Sequence, residues 1–217
     1  MCWNEHVSLN TFLFSTFALG MIYYNNEYTP YKIPEIHGWA YIFLFSFIIM
    51  QLNEYFLWKS IQNKDADQNR IFSITGLFII LFQPFAAIQT IPSMYKHILS
   101  VLYVLGISAL YIYKTVQKPV SFKTTIGKNK TLYWNWLDFE NSYEYIWFYT
   151  LYTIGIVTIS ISLPVVVFIG VFWNILARIK TFPFGSLWCL LVNTVLLFYL
   201  LQTLIYLPLL STHVIAK

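Results

Sequence analysis

From Gly38 to Trp58 this chain carries a single charged residue, Glu54. A run of that length can cross the roughly 30 Å hydrocarbon core of a bilayer, which takes about 20 apolar residues in a helix. Backbone groups at membrane depth must find their hydrogen bonds within the protein, so such a run folds as a helix. The pattern recurs, with apolar runs over 8–24, 71–91, 97–113 and 185–209 and a longer one over 143–179. Charged residues make up only 10% of the chain, against about 25% in a soluble domain. An ordinary soluble fold is excluded. The expected class is all-α, a polytopic integral membrane helical bundle built as one transmembrane domain over 1–217.

The number of spans turns on Pro164, which divides the long run. Two helices, 143–162 and 163–179, give seven spans in all; one kinked helix gives the alternative of six. Charge favours seven. With seven spans the loops on the N-terminal side hold ten of the thirteen Lys and Arg residues, and the opposite side holds Lys32, Lys96 and Lys217. Six spans split them nine to four. The positive-inside rule then sets the N-terminus in the cytoplasm and the C-terminus on the opposite side. The N-terminus lacks the basic n-region and cleavage site of a signal peptide, so the first run is expected to stay as a membrane helix.

Between the spans, Pro30 and Pro34 mark 25–37 as a loop, and Lys59 to Arg70 reads as a hydrophilic link. Ser8 and Asn10 supply capping character to the first span. Residues 120–136 alternate apolar and polar side chains about Gly127, as a short β-hairpin does. Its Tyr133, Trp134 and Trp136 are expected at the membrane surface, where Trp and Tyr concentrate.

The candidate site is built around Glu54. An acid at a helix centre costs roughly 2.5–3.5 kcal/mol on insertion, so a partner must offset it or the carboxyl must be protonated. Helical spacing sets Gln51 one turn before Glu54 and Trp58 one turn after, on a common face. With seven spans, Asn174 and Asn193 share the same half of the bilayer. Gln83 and Pro84 are a second feature, because proline leaves the carbonyl four residues earlier without its usual donor and such breaks line ion or solute paths. The bland reading of each is known: buried amides and acids glue helices together, and most membrane prolines only kink.

Several chemistries are not supported. The two cysteines, Cys2 and Cys189, are too few for a disulfide framework or a zinc site. The four His residues fall at span ends or in loops, so no metal site is expected. The last run contains no lysine for a retinal Schiff base. No phosphate-binding glycine loop occurs, no cofactor is expected, and the reading leans away from an enzyme. The net charge of +4 is orientation charge between apolar runs and does not suggest nucleic acid.

The opening Met1-Cys2-Trp3, the following Val7-Ser8-Leu9-Asn10-Thr11-Phe12-Leu13, and Met50-Gln51-Leu52-Asn53-Glu54-Tyr55-Phe56-Leu57-Trp58 resemble an uncharacterised family of multi-span membrane proteins of bacteria and large DNA viruses. The resemblance implies a polytopic membrane protein and marks Cys2, Trp3 and Glu54 as signature positions without giving them a role. Taken together, the sequence reads as a small transporter or channel for protons, cations or a small polar solute. Glu54, Gln51, Gln83, Pro84, Asn174 and Asn193 are its candidate pathway. The alternative is a structural or interaction protein of a membrane. The expected partner is the lipid bilayer, and a homo-oligomer is compatible with the sequence.

Overall fold

The computed structural model describes residues 4–91, 95–117, 119–127, 130–137, 142–157 and 184–215; for Ser142, Tyr145, 154–157, 184–192 and 212–215 it describes the backbone alone. It is mostly helical. The helices are α1 (Glu5–Tyr28), α2 (Trp39–Gln62), α3 (Ala66–Ile88), α4 (Tyr95–Gln117), α5 (Ser142–Val157) and α6 (Phe184–Leu201). From α6 the chain runs through a π turn (Gln202–Tyr206) into α7 (Leu207–Ile215). Among the described residues five helical stretches are long and apolar enough to cross a membrane: α1 to α4 and Asn193–Ser211. The expected turn at Pro164, and with it the choice between six and seven spans, lies outside the described residues.

The helices overrun the apolar runs for identifiable reasons. α1 starts a turn before Ser8 because the Asn4 side chain accepts from the Val7 N–H at 2.8 Å, which caps the helix. It also continues through Asn25–Tyr28, which the sequence suggested was loop. Its end is Thr29, held extended ahead of Pro30. α3 likewise begins inside the hydrophilic link, capped by Asp65, whose carboxylate accepts from the Gln68 N–H at 2.9 Å. The link shrinks to a tight turn through Lys64, whose φ of 55° is left-handed.

α2 is the central element and packs mainly on α3 and α1. In its most apolar stretch 61% of residues are buried, against 17% in α4, which is peripheral. α5 packs between α3 and α4, and α6 packs on α1. Ile98, Val101, Leu102, Leu105, Ile112 and Val116 of α4 are exposed, an apolar face suited to lipid.

The expected hairpin forms from β1 (Thr124–Ile126) and β2 (Leu132–Trp134), antiparallel, with Thr124 opposite Trp134. It leads into a 3₁₀ turn, Asn135–Leu137. It is folded onto the bundle. Thr124 is buried and Tyr133 is 40% exposed, whereas Trp134 is 7% and Trp136 0% exposed. The expected surface trio is therefore corrected: alternation along β2 sends Tyr133 outward and Trp134 inward, and the 3₁₀ turn carries Trp136 in with it.

Candidate functional site

The buried polar residues of α2 occupy two adjoining faces. The first meets α3 and the hairpin. Asn53 donates from Nδ2 to the Phe72 carbonyl at 3.0 Å. Gly76 of α3 lies against this contact: a Cβ there would sit 2.9 Å from Asn53 Nδ2, 3.3 Å from Trp136 Cζ2 and 3.4 Å from Met50 Cε. Trp136 fills the notch that glycine leaves and stacks on Trp134, with ring centroids 5.2 Å apart. Asn69 holds the hairpin in place. Its Oδ1 accepts from the Thr124 N–H at 2.9 Å, and its Nδ2 donates to the Thr124 carbonyl at 3.1 Å and to Ser60 Oγ at 3.2 Å. The Ser73 and Thr124 hydroxyls are bonded at 2.8 Å.

The second face carries Gln51, Glu54 and Trp58, all buried and turned into the bundle. Gln51 and Glu54 are 0% exposed. Neither the Oε1 nor the Nε2 of Gln51 has a hydrogen-bond partner, and Trp58 Nε1 has none. Leaving a buried donor or acceptor unmet costs about 1–3 kcal/mol. A face with spare hydrogen-bonding capacity beside a carboxylate is suited to holding water, a proton or a small polar solute.

This face leads toward an ion pair. Glu5 of α1 and Lys59 of α2 are 3.3 Å apart, with the Lys59 Nζ also 5.8 Å from the Tyr55 ring centroid. Glu54 lies about 7.5 Å and Gln51 about 12 Å deeper along the helix axis, at 1.5 Å per residue. The Glu5–Lys59 pair and the Asn69–Thr124 contact bring the N-terminus, the α2–α3 turn and the hairpin to the same end of the bundle.

The other predicted residues among those described have partners of their own. Asn193 of α6 accepts through Oδ1 from the Ser15 hydroxyl of α1. Gln83 accepts through Oε1 from the Tyr152 hydroxyl of α5, about 10 Å along α3 from Gly76. Pro84 is buried within α3. The Tyr103 hydroxyl donates to the Leu81 carbonyl at 2.8 Å, next to the carbonyl of Ile80 that Pro84 deprives of its usual donor. Asn174 lies outside the described residues. Sequence reasoning did not single out Asn53, Asn69 or Glu144. Glu144, in the first turn of α5, is 3% exposed. An apolar groove of about 390 Å³ opens between α1 and α2 at Gly20, Tyr23, Tyr41 and Phe45, and no predicted site residue lines it.

No family model, curated protein or solved structure matches this chain. Among the described residues no three His, Cys, Asp or Glu side chains come together as metal ligands would.

Proposed function

We propose that this chain is a small multi-span membrane transporter or channel, with the Gln51–Glu54–Trp58 face of α2 as part of its pathway. One observation carries the reading. A span-long helix buries a glutamine whose amide has no protein partner, one turn from a fully buried carboxyl. Packing alone rewards satisfied amides, and an unsatisfied one at membrane depth is costly. Glu54 is the proton- or cation-binding group, and Gln51 and Trp58 line its approach. The clustering of N-terminus, α2–α3 turn and basic hairpin at one end supports a cytoplasmic N-terminus by the positive-inside rule.

The test is flux into liposomes containing purified protein, wild type against Glu54→Gln, with folding checked by circular dichroism. Flux lost in a folded variant is the expected result. Unchanged flux removes Glu54 from the mechanism.

A second reading is a structural or interaction membrane protein. The Ser15–Asn193 and Tyr152–Gln83 bonds favour it, because such interhelical pairs stabilise bundles without further activity. It expects Glu54→Leu to be tolerated or stabilising, since packed apolar groups often replace buried ions without loss. A lower melting temperature together with lost flux counts against it.

A further inference from the structure

Thr16, Gly20, Tyr23 and Glu27 follow one another along a single face of α1, at the three- and four-residue steps that stack side chains on a helix. The first three line the apolar groove of about 390 Å³, opposite Tyr41, Phe45 and Ile48 of α2. The Glu5–Lys59 pair at one end and the Tyr23–Tyr41 contact toward the other show that the two helices run antiparallel. Tyr23 to Thr16 and Tyr41 to Ile48 therefore cover the same stretch of seam, about 10 Å long at 1.5 Å per residue. That is roughly two-thirds of one leaflet's share of the hydrocarbon core. Gly20 forms the floor, where a Cβ would meet nothing within 4 Å. The Thr16 hydroxyl donates back to the Phe12 carbonyl at 2.8 Å, so its donor is already spent.

The mouth of the groove has the opposite character. Tyr23 and Tyr41 meet edge to face with ring centroids 5.4 Å apart. Asn26 Nδ2 donates to the Tyr41 hydroxyl at 2.8 Å and so fixes that ring. Glu27 is exposed, one turn beyond Tyr23 and within electrostatic reach of Tyr41. Tyr24 and Tyr28, both exposed, pair beside it with centroids 5.2 Å apart. The last turn of α1 contains no basic residue to meet the negative end of its dipole. Among the described residues Glu27 makes no ion pair, and Lys32 of the following loop is not joined to it. A carboxylate, a helix C-terminus and tyrosine rings all favour a cation, and aromatic rings are the usual receptors of a quaternary ammonium.

We propose that this groove binds one molecule of phosphatidylcholine, with an acyl chain along Gly20 and the choline held by Glu27 and the tyrosines. The proposal is independent of the transporter reading. A cation site above a dry apolar slot matches a lipid that carries its positive charge at the tip of the headgroup. A second copy of the chain fits less well. An isologous contact at the groove would bring two Glu27 side chains and two α1 C-termini together, like charge against like. A purely anionic headgroup would set its phosphate against Glu27 with no cation between them.

The experiment is native mass spectrometry of the purified, delipidated full chain. It is titrated with phosphatidylcholine, phosphatidylethanolamine or phosphatidylglycerol carrying the same acyl chains. One phosphatidylcholine is expected to bind about tenfold more tightly than phosphatidylglycerol. Glu27→Gln is expected to bring that ratio near one, and Gly20→Leu, which fills the floor, to remove both lipids. Circular dichroism checks folding, and any flux the wild type shows in liposomes should be unchanged in both variants. A preference that is missing in wild type, or that survives Glu27→Gln, overturns the headgroup site. Phosphatidylethanolamine bound as tightly as phosphatidylcholine overturns the choice of choline. A lipid-free dimer that Gly20→Leu splits assigns the groove to a second copy and overturns the lipid. Should Gly20→Leu not fold, the Glu27→Gln ratio decides the matter.

Discussion

Two buried primary amides, one in the last turn of α1 and one midway along α2, are treated in opposite ways. Asn26, 8% exposed, spends its whole side chain on structure. Its Oδ1 accepts from the Ile33 N–H at 2.8 Å, and its Nδ2 donates to the Ile36 carbonyl at 2.9 Å and to the Tyr41 hydroxyl at 2.8 Å. It staples the loop after α1 so that Ile33 and Ile36 are buried. Gln51, 0% exposed, has no partner at either atom. The chain satisfies one buried amide fully beside the 29–38 loop and leaves the other unmet midway along α2, where Asn53 Oδ1 and the Trp58, Trp134 and Trp136 indole N–H groups are unmet as well. On the transporter reading, Gln51 keeps its hydrogen-bonding capacity for water or solute.

That contrast can be broken or sharpened by substitution. The largest loss of stability is expected from Asn26→Leu. It strands the Ile33 N–H and the Ile36 carbonyl at about 1–3 kcal/mol each. A strongly lowered melting temperature and new protease cleavage in 29–38 would show it. Asn69→Ala comes next, stranding both backbone groups of Thr124 in the same way. Here the expected readout is release of the hairpin, seen as red-shifted emission from Trp134 and Trp136. Gly76→Ala forces a methyl against Asn53 and Trp136, an overpacking cost of about 1–3 kcal/mol. A melting temperature equal to wild type would mean that the notch is looser than its contacts suggest. Tyr152→Phe removes one interhelical bond, worth about 0.6 kcal/mol in comparable cases, and should barely shift the melting point. Gln51→Leu should leave stability unchanged or slightly raised while flux falls. If it destabilises as Asn26→Leu does, the contrast between the two amides fails.

Much of the helical plan was readable from the sequence because span length is set by membrane thickness and charge avoidance, both local properties. Helix ends were less so. Asn4 and Asp65 act through single capping bonds, and Asn25 and Asn26 look like loop residues until the loop folds back on them. The hairpin was readable, but its facing was misjudged, although alternation alone separates Tyr133 from Trp134. Trp136 carries no such signal, because its burial depends on an absent side chain at Gly76. The Gln51–Glu54 face followed from helical spacing. The partners of Gln83 and Asn193 did not, since Tyr152 and Ser15 lie 69 and 178 residues away in the chain. Glu144 was passed over because it lies in the first turn of its helix, where an acid ordinarily reaches water.

The Asn69 clamp has a consequence for biosynthesis. Its backbone partner, Thr124, lies 55 residues further along the chain. At a synthesis rate of roughly 5–20 residues per second, the ribosome needs about 3–11 s to deliver it. For that interval Asn69, and soon after it Ser73 and the groove at Gly76, have nothing to dock against. That end of the bundle is completed late, and a chain stalled before the hairpin would present an open polar seam to the insertion machinery.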